Sequence, residues 1–282
     1  MKRAFLPFSA YQFVDDAVGE PFKEVVYGAS VLPETIYGTL KAKGVPTHLR
    51  KAVSKVSFND DGTGEITIHL KDGQKKKYDK VVVTPTSRVV SRMQFSPSLP
   101  NNKKLALNSF HFMNTVKVFL AFKTPFWERE TKIPPIPYNS SHRVNGGSGV
   151  TDLANRVVYY PSHPYHGPSL LASYVWGEDA DRLTSLSDDQ LLEEILNNLV
   201  EIHGEVARKE YTEGNVIKWV TEDWAAGAIP WADPGQIHQL ELALQESHMG
   251  KVFFAGDYTS KVGSGFTLKD YNDFLLSLTV AG

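Results

Sequence analysis

The 282-residue sequence predicts an α+β or split α/β fold, because strand-like and helix-like segments follow one another without strict βαβ alternation. Three observations carry that reading. Residues 51–58 (KAVSKVSF) and 65–70 (EITIHL) alternate polar and apolar at the period of a strand. Residues 188–203 (DDQLLEEILNNLVEIH) put apolar side chains at 191, 192, 195, 196, 199 and 202, the stripe of an amphipathic helix. Residues 252–254 (VFF) read as a short buried strand that stops at Ala255-Gly256 and presents Asp257 at its carboxyl end. That is where open α/β sheets bind their ligands.

The other elements follow in chain order. Residues 34–43 (ETIYGTLKAK) predict a short helix ending near Gly44. Between the two alternating segments, residues 59–64 (NDDGTG) tolerate positive φ, so the unit is a hairpin or meander. Lys75-Lys76-Lys77 follows the turn Lys71-Asp72-Gly73 and reads as a solvated hairpin edge rather than a phosphate patch. Residues 78–84 (YDKVVVT) predict a Val-rich strand buried on both faces, ended by Pro85. Further strands are expected over 115–123, 156–160 and 170–176. Residues 133–149, rich in Pro, Gly, Asn and Ser, predict a long surface loop. Ser187 or Asp188 caps the helix over 188–203 and Gly204 ends it. A strand over 216–220, helices over 234–245 and 270–278, and the strand over 252–254 complete the reading.

Composition narrows the function classes. Net charge is −2 with 41% hydrophobic residues, so nothing draws the chain to nucleic acid or an anionic membrane. No run reaches the roughly 18 apolar residues of a membrane span, and Pro7 and Ser9 interrupt the apolar N-terminal stretch too early for a signal peptide. The reading is of a soluble chain, with the compartment left open. The absence of cysteine removes disulfides, thiolate catalysis and cysteine zinc sites.

Three motifs fail on their own terms. Asn145-Gly146-Gly147-Ser148-Gly149 lacks the Lys-Ser/Thr ending of a phosphate loop and is read as a flexible loop. His163 and His166 flank Pro164-Tyr165 without a carboxylate at ligand spacing, so no metal site is expected. No Gly-x-Ser-x-Gly elbow supports acyl transfer.

A series of segments resembles the flavin-containing amine oxidases, nearest to the L-amino-acid oxidases. They run from FKEVVYGASVLPETIYGTL (22–40) through YDKVVVTPTSRVVSRMQFSPSLPNNKKLAL and NTVKVFLAFKTPFWER. The series continues with VTDLANRVVYYPSHP, LLASYVWGEDA, KWVTEDWAAGAIPW and VFFAGDYTS, in order from about residue 20 to 270. The resemblance implies a partial FAD-binding domain of Rossmann type (20–112 and 247–282) and a substrate-binding domain with a mixed β-sheet (113–246). The Gly-x-Gly-x-x-Gly opening of that family is missing from this sequence, which therefore resembles the C-terminal portion.

Roles carried by the resemblance are specific. Lys117 falls where the family has a lysine holding a water near the flavin N5, where a fixed cation stabilises developing negative charge. Tyr174 matches the tyrosine that binds the substrate carboxylate, while Tyr159, Ile229 and Phe266 match the substrate pocket. Val53, Trp219, Gly256, Asp257, Gly265 and Thr267 match cofactor-binding positions, with Asp257 on the ribityl hydroxyls. Lys269 and Asp270 stand where the family has small residues, and Met113 where it often has arginine. The implied activity is FAD-dependent oxidative deamination of L-amino acids, with oxygen reduced to peroxide. Two alternatives stay open: a non-catalytic relic or partner-binding module, and a monoamine or polyamine oxidase. The implied partners are FAD, an amino acid or amine, and oxygen, together with either a second copy of the chain or a missing N-terminal half.

Overall fold

The structure, a computed structural model, describes residues 25–129, 146–161, 167–231, 233 and 236–259. The chain divides into two compact units, residues 1–49 and 50–282. In the first, helix α1 (Val31–Ala42) begins three residues before the predicted start and carries Glu34 in its first turn and Lys41 in its last, each complementing the helix dipole. Gly44 follows at φ 69°, as a helix stop requires.

The second unit starts with a four-stranded sheet in the order β3-β2-β1-β5. Its strands are β1 (Val53–Ser57), β2 (Ile66–Leu70), β3 (Lys75–Tyr78) and β5 (Gln94–Ser96). The first three pair antiparallel and β5 lies parallel to β1. Alternation turns Ile66, Ile68 and Leu70 inward. The turn over 59–64 uses Gly62 and Gly64 at φ 78° and 75°, closed by the Asp61 carboxylate, which accepts from Thr63 N–H and Oγ1. The lysine run is the edge strand β3, where Lys77 pairs with Glu65 at 3.0 Å.

One expectation needs correction here. The Val-rich segment is not one strand buried on both faces but β3 and a separate β4 (Val81–Val83), in which Val82 is 47% exposed. Among the described residues β4 has a single strand neighbour, β13 (Val252–Phe254), parallel to it. Short helix α2 (Ser87–Val90), capped by Thr86, and helix α3 (Asn101–Ser109) follow β4 and β5.

A five-stranded sheet carries the rest, in the order β11-β7-β10-β9-β8. It comprises β7 (Thr115–Phe122), β8 (Ser148–Val150), β9 (Val157–Tyr159), β10 (Ser169–Trp176) and β11 (Tyr211–Lys218). All its neighbours pair antiparallel, so parallel pairing occurs only outside this sheet among the described residues. Ser148 and Gly149, read as flexible loop, belong to β8, and β11 starts five residues before its predicted start. Helices α4 (Glu178–Thr184), α5 (Asp188–His203) and α6 (Val206–Glu210) accompany the sheet. Helix α5 has the bounds its periodicity predicts, with a reciprocal Ser187–Gln190 capping box and Gly204 at its end. A last pair joins β6 (His111–Met113) to β12 (Ile229–Trp231), and helix α7 (Gln236–Gln245) leads to β13. The predicted helix over 270–278 and most of the loop over 133–149 lie outside the described residues.

Two cores form inside this unit. In one, Val116, Val118, Leu120 and Phe122 of β7 pack with Leu191, Ile195 and Leu199 of α5 and the buried pair Phe126 and Trp127. In the other, Val56, Ile66 and Ile68 pack with Leu107, Leu244, Val252 and Phe254. Each core encloses a buried base. Tyr160 Oη and His203 Nε2 share a 2.8 Å hydrogen bond in the first, and burial holds His203 down at about 4. In the second, Lys103 is 2% exposed, donates to the Leu244 carbonyl at 3.0 Å and lies 4.1 Å above the Phe254 ring. Burial lowers its pKa to about 8.

These two groups predict pH slopes of the same sign in two separate windows. As pH falls from 6.5 to about 4, the unfolded chain protonates its histidine while buried His203 stays neutral, so stability is lost. Between about 8 and 10.5, the unfolded chain keeps its lysine proton while Lys103 has released its own, so this group adds stability as pH rises. Denaturant midpoints across both windows check this. His203→Phe should flatten the acid slope, and Lys103→Met the alkaline one.

Candidate functional site

Strand β7 lies between β10 and β11, with Lys117 opposite Tyr174 on one side and Ile217 on the other. Its neighbours Val116 and Val118 are fully buried, so alternation sends Lys117 to the other face of the sheet. There its Nζ lies 4.5 Å above the Tyr174 ring, a cation–π contact. Burial pulls the Lys117 ammonium below its ordinary pKa. Among the described residues no carboxylate or hydrogen-bond acceptor pairs with it.

The face around Lys117 is aromatic. The Tyr174 ring centroid is 6.4 Å from that of Tyr159 and 5.0 Å, edge to face, from that of Trp176. Tyr159 enters through β9, opposite Leu171 of β10. Burial, and then the proximity of Tyr174, raises the Tyr159 pKa. Tyr159, Phe119 and Trp176 remain 37 to 41% exposed, so the aromatic row lines an accessible surface. The Tyr174 hydroxyl makes no hydrogen bond among the described residues.

Tyr174 owes its side of the sheet to a β-bulge. Leu171 pairs with Phe119 and Tyr174 with Lys117, while the register shifts between Leu171 and Ser173. Strict alternation from Leu171 would turn Ser173 outward and Tyr174 into the core. The extra residue reverses this, and Ala172 and Ser173 are both fully buried.

The residues expected at the cofactor stand on other segments. Strand β13 ends at Ala255-Gly256 beside the end of β4, the ends of two parallel strands. Gly256 adopts φ 147°, and a Cβ there would come within 3.2 Å of the Tyr258 ring, so the turn accepts only glycine without strain. Thr259 locks the turn through Oγ1 and N–H to the Gly256 carbonyl at 2.7 and 3.0 Å. Asp257 opens the 3-10 turn Asp257–Thr259. Val53 begins β1 and packs at the edge of the second core. Trp219 follows β11 and donates its backbone N–H to the Thr115 carbonyl at 3.1 Å.

The backbone of Ile229 pairs with Met113. The loop before it is held from outside: Thr86 Oγ1 donates to the Ala225 carbonyl at 2.8 Å and Arg88 to the Ala226 carbonyl at 2.9 Å. The side chains of Ile229 and Asp257, and all of Gly265, Phe266 and Thr267, lie outside the described parts. The structure thus brings Lys117, Tyr174 and Tyr159 into contact. It adds Trp176 and Phe119, which the sequence reading missed although each stands two residues along a strand from a named one. His163 and His166 also lie outside the described residues.

Removing the Tyr174 ring should rehydrate the Lys117 amine. In Tyr174→Ala its titration should move up toward that of a free lysine, as followed by NMR of labelled lysine side chains. An unchanged titration would mean that the ring does not shield it.

Comparison with known proteins adds lineage. Residues 10–269 match the family described as flavin containing amine oxidoreductase. An L-amino-acid oxidase of Siganus canaliculatus is 33% identical over 248 residues, covering 85% of this chain and 44% of that protein. An L-amino-acid oxidase of Vipera ammodytes ammodytes is 30% identical over 249 residues, covering 85% and 47%. Among solved structures, a putrescine oxidase variant superposes with TM-score 0.63 at 18% identity, over 85% of this chain and 50% of that one. A cyclohexylamine oxidase from Brevibacterium oxydans gives 0.62 at 17% identity. The last two likenesses speak for the fold. The chain spans about half the length of the curated relatives it matches.

Proposed function

The chain belongs to the flavin-containing amine oxidoreductase family, and on that premise we propose that it forms the substrate-binding and C-terminal cofactor-binding portion of an FAD-dependent L-amino-acid oxidase. The reaction is oxidative deamination, in which L-amino acid, oxygen and water give 2-keto acid, ammonia and hydrogen peroxide. The observation that carries this reading is Lys117 over Tyr174, a half-buried cation without an anionic partner among the described residues. The two relatives named L-amino-acid oxidase favour an amino acid over an amine as substrate.

The residues present fit a flavin chemically. Parallel strand ends at β4 and β13 present backbone at a turn fixed by Gly256, and Lys117 has no carboxylate among the described residues to neutralise it. Asp257 and Gly256 would hold the ribityl chain, with Val53, Trp219, Gly265 and Thr267 as further contacts. FAD, when bound, supplies the two-electron acceptor that oxidises the C–N bond and returns the electrons to oxygen. The chain's own residues prepare that chemistry. The Tyr174 hydroxyl donates to the substrate carboxylate, and Tyr159, Ile229 and Phe266 enclose the side chain. Lys117 Nζ sits in surroundings that hydrate it poorly, where a cation acts most strongly on developing negative charge.

We assign residues 113–246 to the substrate side, and 20–112 with 247–282 to the cofactor side. The two cores support this division except at α7, which falls within 113–246 yet packs through Leu240 and Leu244 on the cofactor-side core.

A second reading, a non-catalytic module that covers its apolar faces with a partner, draws on the exposure of Leu105 (66%), Leu242 (78%) and Val82 (47%). One experiment separates the two. The full chain, purified with FAD supplied, is examined for flavin absorbance and for peroxide released from L-amino acids and from simple amines. A colourless protein that releases no peroxide sinks the reading of this chain as an oxidase by itself. Loss of the Tyr174 hydroxyl in Tyr174→Phe should raise KM for L-amino acids by about ten- to a hundred-fold, the size expected for a hydrogen bond to a charged group, and leave amine turnover unaffected. Lys117→Met should lower kcat by about a hundred-fold, the typical cost of removing one preorganised electrostatic contact.

A further inference from the structure

Tyr174 faces outward only because of the bulge at Leu171/Ser173, and that bulge is gripped by one buried side chain. Asn155 is fully buried, on the turn just before β9. Its Nδ2 donates to the carbonyl of Ala172 at 3.3 Å, and its backbone carbonyl accepts from Ser173 Oγ at 3.2 Å. Ala172 and Ser173 are the two bulge residues. A bulge takes a residue out of the ladder and leaves its polar groups to find other partners; the Asn155 side-chain amide supplies one to the Ala172 carbonyl, and the Ser173 hydroxyl ties the bulge back to the Asn155 backbone.

Asn155 is itself fixed on both sides. Val157 N–H donates to its carbonyl at 2.5 Å. The next residue, Arg156, adopts φ 53°, left-handed for a non-glycine residue. Such a conformation persists only where its surroundings impose it. The surroundings are visible: Arg156 Nε and Nη2 grip the two carboxylate oxygens of Asp179, both at 3.1 Å, and Nη1 donates to the Asp152 carbonyl at 3.0 Å. Asp179 lies on α4, which follows β10 directly. The turn is thus tied to the far end of the strand whose bulge it holds.

We propose that Asn155 is a positioning residue for the active face: by holding the bulge it sets the register of β10 that keeps Tyr174 over Lys117. This rests on the reading of Tyr174 as the carboxylate-binding residue. Were the bulge released, alternation would favour Ser173 outward and the tyrosine inward, and both the substrate contact and the shield over Lys117 would weaken together.

The test uses the full chain and two readouts. Asn155→Leu keeps the volume and removes the donor, Ser173→Ala is the milder variant should the first fail to fold, and Leu199→Ala is a control that weakens the same core elsewhere. In Asn155→Leu the Lys117 amine should titrate closer to a free lysine, as in Tyr174→Ala. KM for L-amino acids should rise about ten-fold with kcat within about two-fold, the loss of one buried hydrogen bond. Ser173→Ala should shift both in the same direction by less. A folded Asn155→Leu with the Lys117 titration unmoved overturns the proposal, and so does an equal shift in Leu199→Ala, which would make the role merely structural. If the unaltered chain binds no flavin and oxidises nothing, the reading of this chain as an oxidase by itself falls while the Lys117 titration still decides whether Asn155 sets the register.

Discussion

Burial of one face of β7 is the constraint on which the rest depends. Val116, Val118, Leu120 and Phe122 are 0 to 3% exposed and lie under an α5 stripe whose Leu191, Ile195 and Leu199 are equally dry. Each such side chain gains about 1.5–3 kcal/mol on leaving water. A slip of one residue would exchange all four for Thr115, Lys117, Phe119 and Ala121, and carry a lysine into the core. Register is strongly specified wherever one face is buried and the other is not. The outward direction of Lys117 is therefore set by the hydrophobic effect acting on its neighbours. It requires no interaction of the lysine itself.

The same economy governs the buried polar groups. A charged or polar group inside a core is tolerated when it satisfies something the fold leaves unsatisfied. Lys103 meets the Leu244 carbonyl, one of the acceptors left over at the end of α7, and rests on Phe254 two residues before Gly256. It ties α3, α7 and β13 at one point, so the approach to the turn at Gly256 and Asp257 is fixed from beneath. His203 at the end of α5 does the corresponding work in the other core through the Tyr160 hydroxyl, with the Phe126 ring at 5.5 Å on its edge. In both places a helix terminus and a strand that bears on the proposed site are joined by one buried side chain.

Most elements were legible because their residues obey a local rule. Helix α5 shows the 3.6 period with a capping box at one end and glycine at the other, and β2 shows clean alternation. Helices α3 and α4 escaped the sequence reading. Helix α3 (NNKKLALNS) begins after Pro100 without a capping side chain and buries a lysine where periodicity expects an apolar residue. The error at Val81–Val83 has a different origin: three consecutive valines read as a strand covered on both sides, but coverage is a property of the neighbours and cannot be seen in the run itself. Lys117 and Tyr174 came from a resemblance spread over many short segments, since a lysine on a strand and a tyrosine beside it carry little meaning alone.

The register that unites those two residues was not legible at all. Counting by twos along Leu170–Trp176 puts Tyr174 on the face of Leu170 and Ala172, which is the core face. The actual strand departs from that count at one residue, and the departure depends on Asn155, which lies fifteen or more residues upstream. Similar departures mark the other proposed contacts: Gly256 at φ 147° beneath Asp257, and Ala226 at φ 57° in the loop that leads to Ile229, its carbonyl held by Arg88. Sequence rules describe conformations that a segment favours by itself. Here the backbone beside the residues with proposed chemical roles is held in conformations that the segment does not favour by itself, by side chains from elsewhere in the chain. Violations of local consistency concentrate at functional sites because a side chain placed for chemistry has to face where the chemistry is, whatever its own strand prefers. The bulge at Ala172 follows that logic: it interrupts a regular ladder and turns a tyrosine from the core toward the face that Lys117 occupies.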